Sequence, residues 1–444
     1  MLEAIPPVTM VHASSLETHM RDARLRTLEL LHGLNAEQMM GPRLSTVNPL
    51  LWEIGHVAWF HEHFILQRAF GHEPMSARAQ AIYDSIAIPH DQRWDLPLFS
   101  LDETLDYMQS VQERILERLS SPMATLLESY LYQFTTYHED MHDEAFTWTR
   151  QTLSYPTPEF AIARDEGPAP DAAAGPLLGD AEVPGGQFLM GATGDTLFVF
   201  DNEKWCHTAT IEPFRIAKAP VTNSEFAAFV DEGGYGREEF WDPSGWRWCQ
   251  QYEASHPVYW QADGAGGWAI RTFDQWGTLQ PHQPVVHVNW YEASAWCRWA
   301  GRRLPTEQEW EVAALGVPNG DGAQLADTKR RYPWGSEAPD LQRCNLDGRA
   351  LGCIDVAALP GTDSAFGCRQ MLGNVWEWCA DYFLPYPGFT PDAYKEYSQP
   401  LFGTSRVLRG GAWATRSRMV TGLYRNYFGP DRRDVFAGFR TCAL

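Results

Sequence analysis

Apolar residues recur at helical steps through the first part of the chain. Leu101, Leu105, Met108, Val111, Ile115 and Leu119 follow one another at spacings of three or four, which lays one apolar stripe along a helix. Ser15 to Leu34 repeats the pattern, and Leu126 to Leu153 carries a longer version of it. Asn48-Pro49 opens a further helical stretch, with Asn48 placed as N-cap and Pro49 at the first helical position. Four long helices with one irregular stretch, Gly71 to Phe99, predict a four-helix bundle over residues 1–155.

The helical period then stops. Pro, Ala, Gly and Asp dominate Pro156 to Gly179, so residues 156–180 read as an exposed linker. Over residues 181–444, short β-rich runs alternate with Gly, Pro, Asn and Asp. The clear helical stretches there are Asn223 to Val230, and Tyr291 to Gly301 followed by Thr306 to Leu315. Thr306 and Glu309 are spaced as a capping box at the start of the last. The pattern predicts a compact α+β domain with much loop, in which Trp indoles tie irregular backbone together by packing and N–H hydrogen bonds.

Composition narrows the class. A length of 444 residues allows two to three domains at about 150 residues each, and the single change of pattern selects two. The apolar fraction of 44% excludes a disordered chain. The net charge of −22 argues against nucleic acid or an anionic membrane as partner, because both reward clustered positive charge. No run of 18 or more apolar residues occurs, and Met1 to Leu16 has no basic region followed by an apolar one. Neither a membrane span nor a secretory signal is expected, and the cytoplasm is the expected compartment. The eight Cys run from Cys206 to Cys442 without a CxxC pair, and read as small buried hydrophobes rather than disulfides.

Histidine placement is the chemical signal. His138 and His142 stand four apart in the fourth helix, so both imidazoles leave one face about a turn apart. His56 lies among Leu51, Ile54, Val57 and Ala58, which directs it into the bundle. Three His from two helices can hold one divalent metal and leave coordination positions open, as a catalytic metal requires. His61 and His63 read as ordinary core or surface histidines. A different reading also fits: His138 to His142 spells HExxH, with Glu139 as the general base of a zinc hydrolase. Against it, Trp148 stands where a third His would follow, and a downstream Glu ligand would have to come from Glu159 or Glu166 in the linker.

The second domain carries a set of segments that resembles the formylglycine-generating-enzyme domain, a C-type-lectin-like fold. They include Val183-Pro184-Gly185-Gly186, Arg303-Leu304-Pro305-Thr306-Glu307, Gly373-Asn374-Val375-Trp376-Glu377-Trp378, Arg409-Gly410-Gly411-Ala412-Trp413 and Gly438-Phe439-Arg440. The copper-holding cysteine pair of that enzyme is not matched, since only Cys442 lies near the end. A DinB-like bundle carrying His56, His138 and His142, joined to this domain, is similar to the ergothioneine sulfoxide synthase family. That resemblance implies a non-haem Fe(2+) held by the three His at the domain interface. It also implies an O2-dependent bond between a sulfur donor and the imidazole C2 of hercynine, the trimethylated betaine of histidine.

The resemblance implies further site residues. Tyr394 corresponds to the proton donor and Tyr397 to the substrate wall. Asn426, Tyr427 and Phe428 fall where the family holds the hercynine ammonium, an aromatic wall suited to a quaternary cation. Met141 stands where some members place a substrate-contacting Gln. Where two Arg grip γ-glutamylcysteine, this chain has Arg93 and His90, and His does not replace a bidentate carboxylate fork. The stretch Arg93-Trp94-Asp95-Leu96-Pro97-Leu98 looks instead like the selenoneine synthase branch, whose donor is a selenosugar. The leading expectation is therefore carbon–selenium bond formation, with an ergothioneine-type synthase using cysteine, γ-glutamylcysteine or another thiol as the alternative.

Overall fold

The computed structural model describes residues 9–119, 121–169, 171–194, 196 and 198–444. The chain forms two compact units: Met1–Phe160 with Gly194–Val199 and Asp392–Glu396, and Ala161–Thr193 with Phe200–Pro391 and Tyr397–Leu444. The first unit thus takes two short pieces of later sequence that no periodicity marks as belonging to it.

Four long helices build the first unit: α1 (Ala13–Leu31), α2 (Leu50–His61), α3 (Leu101–Leu116) and α4 (Leu126–Thr152). Ser100 and Thr125 open α3 and α4 with capping boxes closed by Glu103 and Glu128, each satisfying otherwise orphaned first-turn N–H groups. Helix α1 packs on α4, and α2 packs on both α3 and α4. Helix α2 continues into a π-helical segment, Glu62–Ala69. It begins at Leu50, one residue later than the pattern suggests, with Pro49 as N-cap. Asn48 does not cap it, because its Oδ1 accepts a hydrogen bond from Arg93 Nη1 at 2.6 Å. The stretch from Gly71 to Phe99 contains a short helix, Ala77–Ile82, and a 3₁₀ turn, His90–Asp95, two elements too short to leave a periodic trace.

The second unit is held by small sheets and indole hydrogen bonds. One four-stranded sheet runs Asp180–Val183, Phe214–Ala217, Cys442–Ala443, Arg302–Arg303. Another runs Asn426–Phe428, Arg406–Arg409, Trp376–Tyr382, Ala437–Gly438. Trp378 Nε1 donates to Val288 O (2.9 Å), Trp290 Nε1 to Cys379 O (2.9 Å) and Trp296 Nε1 to Glu225 O (3.1 Å). The first two tie a loop and a helix to the strand Trp376–Tyr382, and the third ties two helices together, as the Trp content suggests. Buried ion pairs add to this: Glu307 joins Arg409 and Arg425, and Glu377 takes both Arg440 Nε and Nη2. Gly410 (φ +101°) lets the chain pass Met371 O, which a Cβ would meet at 2.8 Å. One helix, Pro243–Gln251, escapes the apolar pattern, although Asp242 caps it and Pro243 starts it. The eight Cys are free thiols, six of them buried.

The segment expected as an exposed linker, residues 156–180, is anchored at several described positions: Pro156 O accepts from Arg150 and Phe160 is buried. Ala169 is buried with Ile354, Ala358 and Leu359. The Leu359 N–H donates to Asp171 Oδ2 (2.7 Å) and the Gly175 N–H to Asp355 Oδ2 (2.8 Å). Small and acidic residues that look solvent-loving are here loop anchors. Among the described residues, no helix is long and apolar enough to cross a membrane.

Gly55 lies one residue before His56, against the ring of Tyr83, whose Cζ a Cβ would meet at 2.1 Å. Tyr83 is fully buried, so its ring has nowhere to move. Gly55→Ala should cost about 1–3 kcal/mol of unfolding free energy through overpacking. A urea midpoint unchanged from the parent would contradict this packing.

Candidate metal centre

His56 on α2 and His138 and His142 on α4 offer one ligand nitrogen each, and these three atoms lie within 4.8 Å of one another. The ring centroids of His56 are 5.2 Å from those of both other imidazoles, and His138 and His142 are 4.5 Å apart. The spacing of four on α4 supplies two ligands, and the contact of α2 with α4 supplies the third. His56 and His138 are buried, and His142 is partly so. Burial, with smaller contributions from neighbouring His and from Arg93, lowers the pKa of His56 well below the usual 6.5. Burial also depresses His138, followed by the effects of His142, His56 and His61. Both rings are therefore neutral near pH 7, the form that donates a lone pair to a metal.

The rings are held in place. His56 Nδ1 donates to the Tyr83 carbonyl at 2.8 Å, which leaves Nε2 unprotonated. His142 Nδ1 is 2.6 Å from Glu53 Oε1, which fixes the orientation of that ring. His56 stacks on Trp52 with a 5° interplanar angle, and His138 stacks on Phe60 at 3.5 Å. Oriented imidazoles that converge without a ligand-bearing acid fit a divalent transition metal such as iron(II).

Glu139 points elsewhere, since consecutive helix positions differ by about 100°. Its carboxylate accepts from Arg24 Nε (2.7 Å), Thr27 Oγ1 (3.0 Å) and His61 Nε2 (2.9 Å). Burial pushes its pKa up, but Arg24 and His61 together outweigh that and hold it well below the carboxylate range. A carboxylate spent on three donors is not a general base, so HExxH is here a coincidence of spacing. The same contact accounts for His61, and His63 stacks on Trp59, so neither is a ligand.

The other expected residues divide between the units. Tyr394 belongs to the helical unit, in the inserted piece Asp392–Glu396. Its ring meets Phe60, Phe64 and Phe134 edge-on, and Phe60 carries it to within one ring of His138. Burial raises its pKa, only partly offset by a hydrogen bond with Ser85. Arg93 lies 4.0 Å over Trp52, on the column that ends at His56. Its Nη2 reaches the Ser85 and Ile88 carbonyls at 3.4 and 3.5 Å, its Nη1 is taken by Asn48, and its Nε is buried. His90 donates through Nε2 to Val47 O at 2.8 Å.

Tyr397, three residues after Tyr394, belongs to the second unit, where it stacks on Phe200 at 4.9 Å. Asn426 and Phe428 are half-buried on an edge strand, and Asn426 Oδ1 accepts the Tyr427 N–H. Tyr427 is a core residue and not a free aromatic wall. Phe383 covers its ring at 4.0 Å, and its hydroxyl donates to the Tyr397 carbonyl. Strand alternation explains this, because Tyr427 faces opposite to its two neighbours. Glu53 was not picked out from sequence; a lone acid in the apolar run Leu50–His61, three residues before His56, was the available signal.

Residues 19–146 match the DinB superfamily, and residues 169–443 match the sulfatase-modifying factor enzyme 1-like domain. The chain is 35% identical to hercynine oxygenase of Mycolicibacterium thermoresistibile over 446 residues, covering 98% of this chain and 95% of that one. It is 35% identical to hercynine oxygenase of Mycobacterium tuberculosis over 437 residues, covering 97% and 99%. Formylglycine-generating enzyme of Streptomyces coelicolor is 35% identical over 319 residues, matching 66% of this chain and 96% of its own length. The match to the hercynine oxygenases runs through nearly the whole chain, both units included, and the chain belongs to that family.

Proposed function

We propose that the protein uses O2 to form a carbon–chalcogen bond at the imidazole C2 of hercynine, with iron(II) on His56, His138 and His142 and a selenosugar as donor. The observation that carries the donor assignment is the state of Arg93 and His90. Arg93 Nη1 donates to Asn48 Oδ1, Nη2 makes only long contacts with the Ser85 and Ile88 carbonyls, and Nε is buried without a partner. His90 gives its Nε2–H to a backbone carbonyl. One Arg and a committed His do not make the paired guanidinium fork that suits the carboxylates of a thiol peptide. A neutral, hydroxylated donor needs none.

Iron(II) bound by the three imidazoles would supply O2 activation and a site for the chalcogen. The chain supplies orientation and protons. Burial keeps Tyr394 a phenol at neutral pH, so its hydroxyl holds a proton that it can give. Tyr397, Asn426 and Phe428 are the residues we assign to hercynine, whose trimethylammonium suits ring faces. A second reading, sulfur transfer from cysteine or γ-glutamylcysteine, draws on the full-length match to the hercynine oxygenases.

Protein loaded anaerobically with iron(II), then given O2, hercynine and competing donors, should yield a selenium-containing hercynine adduct by mass spectrometry. An adduct formed only with a thiol would overturn the selenosugar assignment in favour of the second reading. Glu139→Gln should retain full metal stoichiometry while losing about 3–5 kcal/mol of stability, because it strands the buried Arg24. The folded pKa of Glu139 is depressed, so its contribution is complete above the unfolded value of about 4.3 and is lost as pH falls through the folded one. The stability gap between parent and variant, measured by denaturant titration, should therefore narrow in acid. A gap that is constant with pH, or loss of the metal, would contradict the role given to Glu139.

A further inference from the structure

The three imidazoles differ in what stands behind them. His56 Nδ1 donates to a neutral backbone carbonyl at 2.8 Å. His138 Nδ1 is buried without a hydrogen-bond partner. His142 Nδ1 meets Glu53 Oε1 at 2.6 Å, and Glu53 is only 2% exposed. A hydrogen bond that short between a ring N–H and a carboxylate is charge-assisted, and the dry surroundings strengthen it. The site therefore contains one ligand backed by a negative charge, one by a dipole and one by nothing polar.

We infer that Glu53 is a positioning residue that makes His142 the strongest donor of the three and sets both the affinity and the redox potential of the metal. This rests on reading the three-His cluster as the metal centre. A carboxylate that accepts the Nδ1–H pulls that proton away from the ring and raises the basicity of Nε2. It also fixes the tautomer and the ring plane, which the half-buried His142 lacks from stacking alone. Imidazole ligands bring no negative charge, so the buried carboxylate would supply it beside a divalent ion. More charge on the metal is stabilised more, so Glu53 favours the oxidised ion over the reduced one and lowers the potential. Glu53 also acts on Arg93, raising its pKa against the effect of burial. The same carboxylate thus joins a ligand of the metal to the residue at the donor position.

Glu53→Gln keeps the shape and an acceptor oxygen and removes the charge. Its iron(II) dissociation constant, measured anaerobically by chelator competition, should rise 10- to 100-fold. Its midpoint potential should become more positive, while the metal-free protein melts as the parent does. Glu53→Asp, which restores the charge at a longer reach, should recover part of the affinity. A Glu53→Gln protein with parental affinity and potential would overturn the inference. A measurement on the parent needs no substitution: in the zinc-loaded protein, the Nδ1–H proton of His142 should resonate further downfield than that of His56. Equal shifts, or the reverse order, would also overturn it. If the parent itself binds neither iron nor zinc, the three-His centre fails; if it binds both and only the Glu53 tests fail, the centre stands without this support.

Discussion

Three imidazoles held within 4.8 Å of one another inside a helical bundle impose a demand that the rest of the first unit answers. Neutral rings in a dry site cost little Coulomb energy, whereas charged ones would repel at close range. Burial keeps His56 and His138 neutral, hydrogen bonds aim His56 and His142, and stacking on Trp52 and Phe60 aims His56 and His138. Their backbone positions follow from the helical period on α4 and from the contact of α2 with α4. Gly55 and Tyr83 show how closely the surroundings are fitted, since the ring that excludes a Cβ at 55 belongs to the residue whose carbonyl orients His56.

Helix α4 does two different jobs on two faces. One face presents His138 and His142; the next presents Glu139 and Asp143 to α1, where the Thr27 hydroxyl lies within hydrogen-bond distance of both carboxylates, sharing one proton between them, and Arg24 donates to Glu139. Burying that ion pair is costly on its own. Three donors on one carboxylate offset the desolvation and lock the rotation of α4 about its axis. Rotation is the coordinate that decides whether the two histidines face α2, so the polar face secures the metal-binding one.

The period of apolar residues made the four helices and the His138–His142 pair legible, because both depend on spacing along one helix. His56 was legible as an inward-facing residue for the same reason. Contacts between segments far apart in the chain leave no such trace. Nothing local announces that Asp392–Glu396 joins the helical unit, so that Tyr394 and Tyr397, three residues apart, serve different units. The HExxH match misleads because a motif records residue types and not the direction of a side chain, and Arg24 sits 115 positions from Glu139. Residues 156–180 look like linker because small and acidic residues are common to linkers and to anchored loops. Tyr427 was misplaced because an aromatic residue on a strand serves the core or the site according to a single-residue alternation.

Everything else stands on the convergence of three histidines on one metal. X-ray absorption at the iron edge, on protein loaded with one equivalent of iron(II) without O2, reports it directly. The account predicts one iron per chain with the multiple-scattering signature of three imidazoles and no sulfur ligand from the protein. Iron that does not bind, or that binds through thiolate or carboxylate with fewer imidazoles, would contradict it.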